Sequence, residues 1–327
     1  MVERVKELQP LILGAYYQDL IEAQIKKLFK EILYKPILKK LNEPANRLEN
    51  ALSVLTAAIR GGRVLYSFGY FKGTFNSTVS KEIKSLGGVW DKKRQAFRLE
   101  ESKIPLEVRE SLFKADTAYR DRLTDIERSL KTTLSVKITE KLKTEDIFHD
   151  AILKMQKDFK DNVTSITVTP VWTQTQTRRV AKEWSENMDL WVKDFSEKQI
   201  LELRETVKAH SASGLRVDSL ARNIQESYGV TERKAKFLAR QETKLLAAKF
   251  SETQYQEVGI NEYRWQCVNG SASHPVRPSH KILDGKIFRW DNPPVTTAPD
   301  EPTRRNNPGQ DYNCRCIARP IIKFKSG

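Results

Sequence analysis

The chain has 327 residues, 39% of them hydrophobic and 30% charged, with 57 Lys+Arg against 42 Asp+Glu and a formal net charge of +15. That length calls for two or three domains with packed cores. No apolar run approaches the roughly 18 residues of a membrane span, and the run from Pro10 to Tyr17 is too short for a signal peptide, so the expectation is a chain with no membrane partner that stays where it is made.

Three cysteines, an odd number, argue against a disulfide scaffold and for a reducing cytoplasm. The positive charge favours a polyanion, nucleic acid first, because neutralised phosphates release their counterions whatever the base sequence. For any single basic run the plainer alternative is a solvated helix face.

Residues 3–60 read as helical, with Leu8, Leu11, Ile12, Leu20, Ile21, Ile25, Leu28, Phe29 and Ile32 recurring every three or four positions; Pro36 and Pro44 break the helix and Gly61-Gly62 ends it. From Arg63 the period changes to two. Val64–Phe68 and Tyr70–Phe75 predict a hairpin around Gly69, Asn76 caps a short helix through Leu86, and Val89–Leu99 returns as strand, giving a small basic ββαβ module. Its aromatic residues are mostly expected in the core. Lys92, Lys93 and Arg94 fall in a tight turn, where they serve either phosphate contact or turn solubility.

Residues 105–160 return to a helical pattern, and Asn162–Gln176, rich in Thr and Val, predicts an extended linker. Beyond it, Val180, Trp184, Met188, Trp191 and Phe195 form the stripe of an amphipathic helix. Gly214 opens a helical pair, Val217–Tyr228 and then, after Gly229-Val230 and a Thr231 cap, a long helix through Val258.

The C-terminal stretch from Trp265 to Cys316 holds all three cysteines and two of the four histidines. Asp284-Gly285 predicts a hairpin turn before Ile287–Trp290, with His280 just upstream. Cys314 and Cys316 lie two apart, so both thiols point to one face of an extended chain. Cys267, His280, Cys314 and Cys316 are the ligand types of structural zinc, although C-x-C is not the usual C-x2-C spacing. The alternative is a set of small buried thiols and a hydrogen-bonded histidine locking a proline-rich fold. The loop from Pro293 to Pro308, held at both ends, is expected to be displayed to a partner.

The order Arg277-Pro278-Ser279-His280-Lys281-Ile282-Leu283-Asp284-Gly285, a proline-rich loop, then Asn313-Cys314-Arg315-Cys316, with Ala239-Arg240-Gln241-Glu242-Thr243 upstream, resembles the phage head-morphogenesis family of Mu F-like minor head proteins over about residues 178–320. Gln310 and Asp311 stand where many members carry a histidine. The resemblance implies a structural motif of Arg240, Glu242, Thr243, Arg277, His280, Asp284, Gly285, Asn313, Cys314 and Cys316, with the first three holding a helix against the Cys/His block. It further implies a virion protein of the head interior, with portal, major capsid or scaffold proteins and double-stranded DNA as partners, and host cytoplasm as the place of assembly.

The reading is therefore an α+β chain, mostly helical, with the basic ββαβ module and a compact β-rich Cys/His block at the C-terminus. Residues 1–160 form an N-terminal domain, 161–177 a linker, 178–320 the head-morphogenesis domain and 321–327 a tail. No phosphate-cradling glycine loop or Ser-His-Asp order is present. The rival function is a metal-dependent nuclease or toxin-like transferase, with His274 or His280 as base, Arg277 or Arg315 on an anion, and Asp284 or Asp311 as second acid/base group.

Overall fold

The computed structural model describes residues 4–41, 55, 58–59, 63–67, 70–164, 172–213, 217–268 and 275–324. Gly61, Gly62, Gly69, Gly214, Pro44 and His274, which carried sequence expectations, lie outside them. The architecture is α+β and mostly helical, with small antiparallel sheets. The chain forms two compact units, and neither follows the sequential division expected: one joins Met1–Lys27, Lys141–Val192 and Glu232–Gly327, the other Leu28–Glu140 and Lys193–Thr231.

In the unit that holds both ends, the chain opens with a strand, β1 (Arg4–Glu7), where helix was expected. It pairs antiparallel with β8 (Ile317–Phe324), Arg4 opposite Phe324 and Glu7 opposite Ile321. Residues 321–324 are thus strand rather than tail. The sheet runs β1-β8-β6-β7, with β6 at Glu262–Gln266 and β7 at Ile287–Arg289. Alternation in β6 buries Tyr263 and Trp265 on one face. Tyr263 packs 4.4 Å from Trp290, centroid to centroid, and Trp290 lies parallel to Tyr255 at 6.3 Å.

Helix α1 (Ala15–Phe29) begins in this unit and passes directly into a π-helical turn, Lys30–Tyr34, and then α2 (Lys35–Leu41). Pro36 therefore does not break the helix. The Lys35 N–H bonds to the Lys30 carbonyl, a widened turn that directly precedes the proline inside the continuous helix.

The second unit contains β2 (Val64–Ser67), β3 (Tyr70–Gly73), α3 (Ser77–Ser85), β4 (Val89–Asp91) and β5 (Ala96–Arg98), in the sheet order β2-β3-β5-β4. The last run of the expected ββαβ module is two strands, so the module is ββαββ. Asn76 caps α3 as expected, its side chain accepting from the Val79 N–H at 2.8 Å. Val64, Phe71, Val79, Ile83 and Phe97 close the module's core. Trp90, 37% exposed, remains at its surface.

The helices α4 (Leu106–Ser129), α5 (Thr133–Glu140) and α6 (Glu145–Val163) follow. The linker expected at 161–177 is not extended in its described part, because Asn162 and Val163 end α6 and α7 (Gln174–Ser213) starts at its other end; residues 165–171 lie outside the described set. The buried stripe at the start of α7 is Thr177, Ala181, Ser185, Met188, Val192 and Phe195; Met188 and Phe195 are buried as expected, whereas Val180 and Trp184 are half-buried and Trp191 is 54% exposed.

Helix α8 (Val217–Glu257) runs without a break through Gly229 and Thr231. A single interior glycine costs a helix only about 1 kcal/mol, which packing overrides. Thr231 is no cap: it is fully buried, 2.7 Å from the Tyr34 hydroxyl and 3.2 Å from the Ser227 carbonyl.

Candidate metal centre

Four chain segments converge at the end of β6. Cys267 follows that strand directly, and its N–H donates to Asp284 Oδ1 at 2.7 Å. Residues Pro278–Lys281 form a single helical turn, α9, rather than the arm of a hairpin. Gly285 ends the turns that follow, at φ +75°, donating to the Trp265 carbonyl at 2.8 Å. Asp284-Gly285 thus reverses the chain as expected, but out of a helical turn and into β7.

The third segment is Asn307–Cys316, which precedes β8. Gly309 at φ +87° and Asn313 at φ +56° bend it so that both thiols face inward. The fourth is α8: Arg240 Nη2 donates to Asn313 Oδ1 at 2.7 Å, and Gln241 Oε1 accepts the Asn313 N–H at 2.6 Å. Of the three residues assigned to hold helix against block, Arg240 does so. Thr243 uses its hydroxyl inside its own helix, on the Ala239 carbonyl, and Glu242 is buried, its carboxyl pushed up by burial to about 7. Gln241 is the tie that the sequence did not assign, since nothing in its type or spacing marks it. Arg277 donates to the Tyr312 carbonyl, lacing α9 to the same loop.

At the centre, His280 Nδ1 lies 3.5 Å from Cys314 Sγ and 3.6 Å from Cys316 Sγ. The ligand atoms of these three buried residues all lie within 4.8 Å of one another. Cys267 Sγ stands 3.6 Å from Cys316 Sγ while donating to the His280 carbonyl at 3.3 Å. On the ring's other side, His280 Nε2 is 3.2 Å from Asp311 Oδ2, and Asn306 donates to the second Asp311 oxygen at 2.7 Å. Trp265 sets its ring edge against the imidazole at 5.5 Å.

The electrostatics follow from this row. Burial opposes charge on His280, but the bonds to Asp311 and Cys314 outweigh it and carry its pKa up to about 9. Burial likewise opposes charge on Asp311, and His280, Thr296 and Asn306 hold it down at about 2. A hydrogen bond from Cys316, and then His280, bring Cys314 down to about 5 despite burial. Cys316, next to that thiolate, is pushed far up.

Lys92, Lys93 and Arg94 belong to the other unit. They form the exposed turn between β4 and β5, where Asp91 Oδ1 accepts the backbone N–H groups of Lys93 and Arg94 and Gln95 takes φ +50°. Arg94 rests its guanidinium over the Tyr70 ring at 4.7 Å.

Residues 202–319 match the family described as Phage Mu protein F like protein. That segment is similar to the Mu F-like family. It runs from within α7 through α8 to β8 and includes every residue of the centre. A Haemophilus influenzae protein described as uncharacterized is 37% identical over 103 residues, 32% of this chain; the chain spans about a fifth of that relative's length, 21%. No solved structure matches. Among the described residues, no helix is long and apolar enough to cross a membrane.

Proposed function

We propose that the chain is a minor head protein of a tailed bacteriophage, acting in head morphogenesis beside the portal and the packaged DNA, with portal and major capsid or scaffold proteins as partners. The observation that carries this is the Mu F-like match, which coincides with the part of the chain where α8, α9 and the Cys/His loop are laced together. The loop after Trp290 supports a docking role in its outer part. Its base is buried at Thr296, Thr297 and Asn307 and bridged from Val295 to Arg305, while residues 299–305 form an exposed tip. The expectation that the whole loop is displayed is thus narrowed to that tip.

Catalysis by the same histidine is less well supported. His280 and Asp311 are 2% and 4% exposed, so a substrate reaches neither without opening the loop; Asp284 is exposed, but its carboxylate already accepts from the Cys267 N–H.

Gly285→Val tests the link to assembly. No atom lies within 4 Å of a Cβ built there, so the substitution acts through the backbone: a β-branched residue resists φ +75°, a cost of about 1 to 3 kcal/mol. In an inducible lysogen carrying this gene, the variant is expected as soluble protein absent from purified heads. Gly285→Asn, which tolerates a left-handed backbone, should be incorporated. Infectious particles containing Gly285→Val at the wild-type level would sever this motif from assembly.

The DNA component rests on the net charge and the exposed basic turn. Binding to a mixed-sequence duplex, followed by fluorescence anisotropy, should weaken linearly in log K against log[salt], each phosphate contact contributing about 0.9 to the slope. Replacing Lys92, Lys93 and Arg94 by alanine should flatten that slope by up to about 2.7. An unchanged slope would move the DNA contact elsewhere, and a flat wild-type slope would remove it.

A further inference from the structure

We propose that Cys267, His280, Cys314 and Cys316 form a structural zinc site, with His280 binding through Nδ1 and Asp311 orienting its ring from outside. The inference rests on geometry and does not depend on the head-assembly reading.

The spacings fit a small tetrahedral ion. Zinc about 2.3 Å from sulfur and about 2.0 Å from nitrogen sets neighbouring ligand atoms about 3.5 to 3.8 Å apart. The contacts here are 3.5 and 3.6 Å from the imidazole to the two thiols and 3.6 Å between Cys316 and Cys267. Cys267 completes the set by turning its thiol from the His280 carbonyl into the trio.

The outer partner fits as well. A zinc-bound histidine characteristically gives its remaining N–H to a carboxylate, which fixes tautomer and ring plane. Nε2 faces Asp311 at 3.2 Å, and Asp311 is itself held by Asn306. Loosely packed thiols locking a loop would not require that carboxylate. The need for the ion is mechanical: between β7 and β8 the chain runs 27 residues, Trp290 to Cys316, without a regular strand or helix. Segments of that length rarely hold one shape unaided.

Full-length protein purified in reducing buffer and dialysed against metal-free buffer should retain about one zinc per chain by plasma mass spectrometry. Cys314→Ser/Cys316→Ser should retain less than a tenth of that. Because this double variant also disturbs packing, Asp311→Asn provides a second arm: it keeps every ligand, and chelator competition should show affinity about 10- to 100-fold weaker. With cobalt in place of zinc, the thiolate-to-metal charge-transfer band should fall by a third in Cys267→Ser. Wild-type protein that fails to bind zinc, or a double variant that keeps it, overturns the site. A full-intensity band in Cys267→Ser removes the fourth ligand, and unchanged affinity in Asp311→Asn removes the outer one.

Discussion

Gly73→Ala lowers the stability of the basic module by about 3 kcal/mol, the sum expected from backbone strain and overpacking. Gly73 ends β3 at φ +149°, a conformation that side chains avoid. A Cβ built there stands 2.0 Å from the Arg63 carbonyl oxygen and 2.9 Å from Val64 Cα. Both are backbone atoms, at the residue before β2 and at its first residue, and the Arg63 carbonyl is already fixed by the Thr74 N–H at 2.9 Å. No side-chain rotation relieves the contact, so β2 must part from β3 at the Val64–Gly73 pair. Calorimetry should show a transition displaced to lower temperature. A variant that melts with the wild type would mean that the strand end adjusts freely.

Trp265→Ala should cost the other unit about 3 to 5 kcal/mol, the range for emptying a large aromatic site. The residue is fully buried on β6, packs on Phe288 and sets its ring edge on His280. Its backbone also anchors the reversal at Gly285, but the substitution leaves those hydrogen bonds in place, so the loss reports side-chain packing. Urea titration should show a lower midpoint for the step that includes this unit, with Trp265→Phe losing about half as much. If alanine proved as stable as tryptophan, the imidazole's apolar wall would be collapsible, and the rigid geometry assigned to the centre would be wrong.

What the sequence made legible is what neighbouring residues decide. Asn76 announced its helix because a cap acts over three positions, and the strands around Tyr66 and Phe71 announced theirs through alternation. Cys267, His280, Cys314 and Cys316 stood out in the sequence as ligand types within one stretch, while the packing of the last three within 4.8 Å of one another depends on the tertiary fold. Asp311 was visible only as a possible acid/base partner; its place behind His280 depends on the left-handed bend at Asn313 and the turn at Gly309. The first strand was hidden for the opposite reason. Arg4–Glu7 has no local pattern that outweighs the helical run after it, and its partner lies more than three hundred positions away. Gly229 misled because glycine is punctuation in isolation but tolerable inside a helix packed along its length.

The pairing of β1 with β8 also sets a timetable. Arg4 leaves the ribosome about 320 residues before its partner Phe324, and at about 5 to 20 residues per second that is a wait of roughly 16 to 64 seconds. Throughout that interval β1 is an unpaired segment in a growing chain. The basic module, whose strands lie within 35 residues of one another from Val64 to Arg98, has time to fold first. A ribosome stalled before Ile317 would therefore present a folded module beside an unfinished sheet whose β6 lacks its neighbour, which is the species most open to proteolysis or to pairing with a second nascent chain.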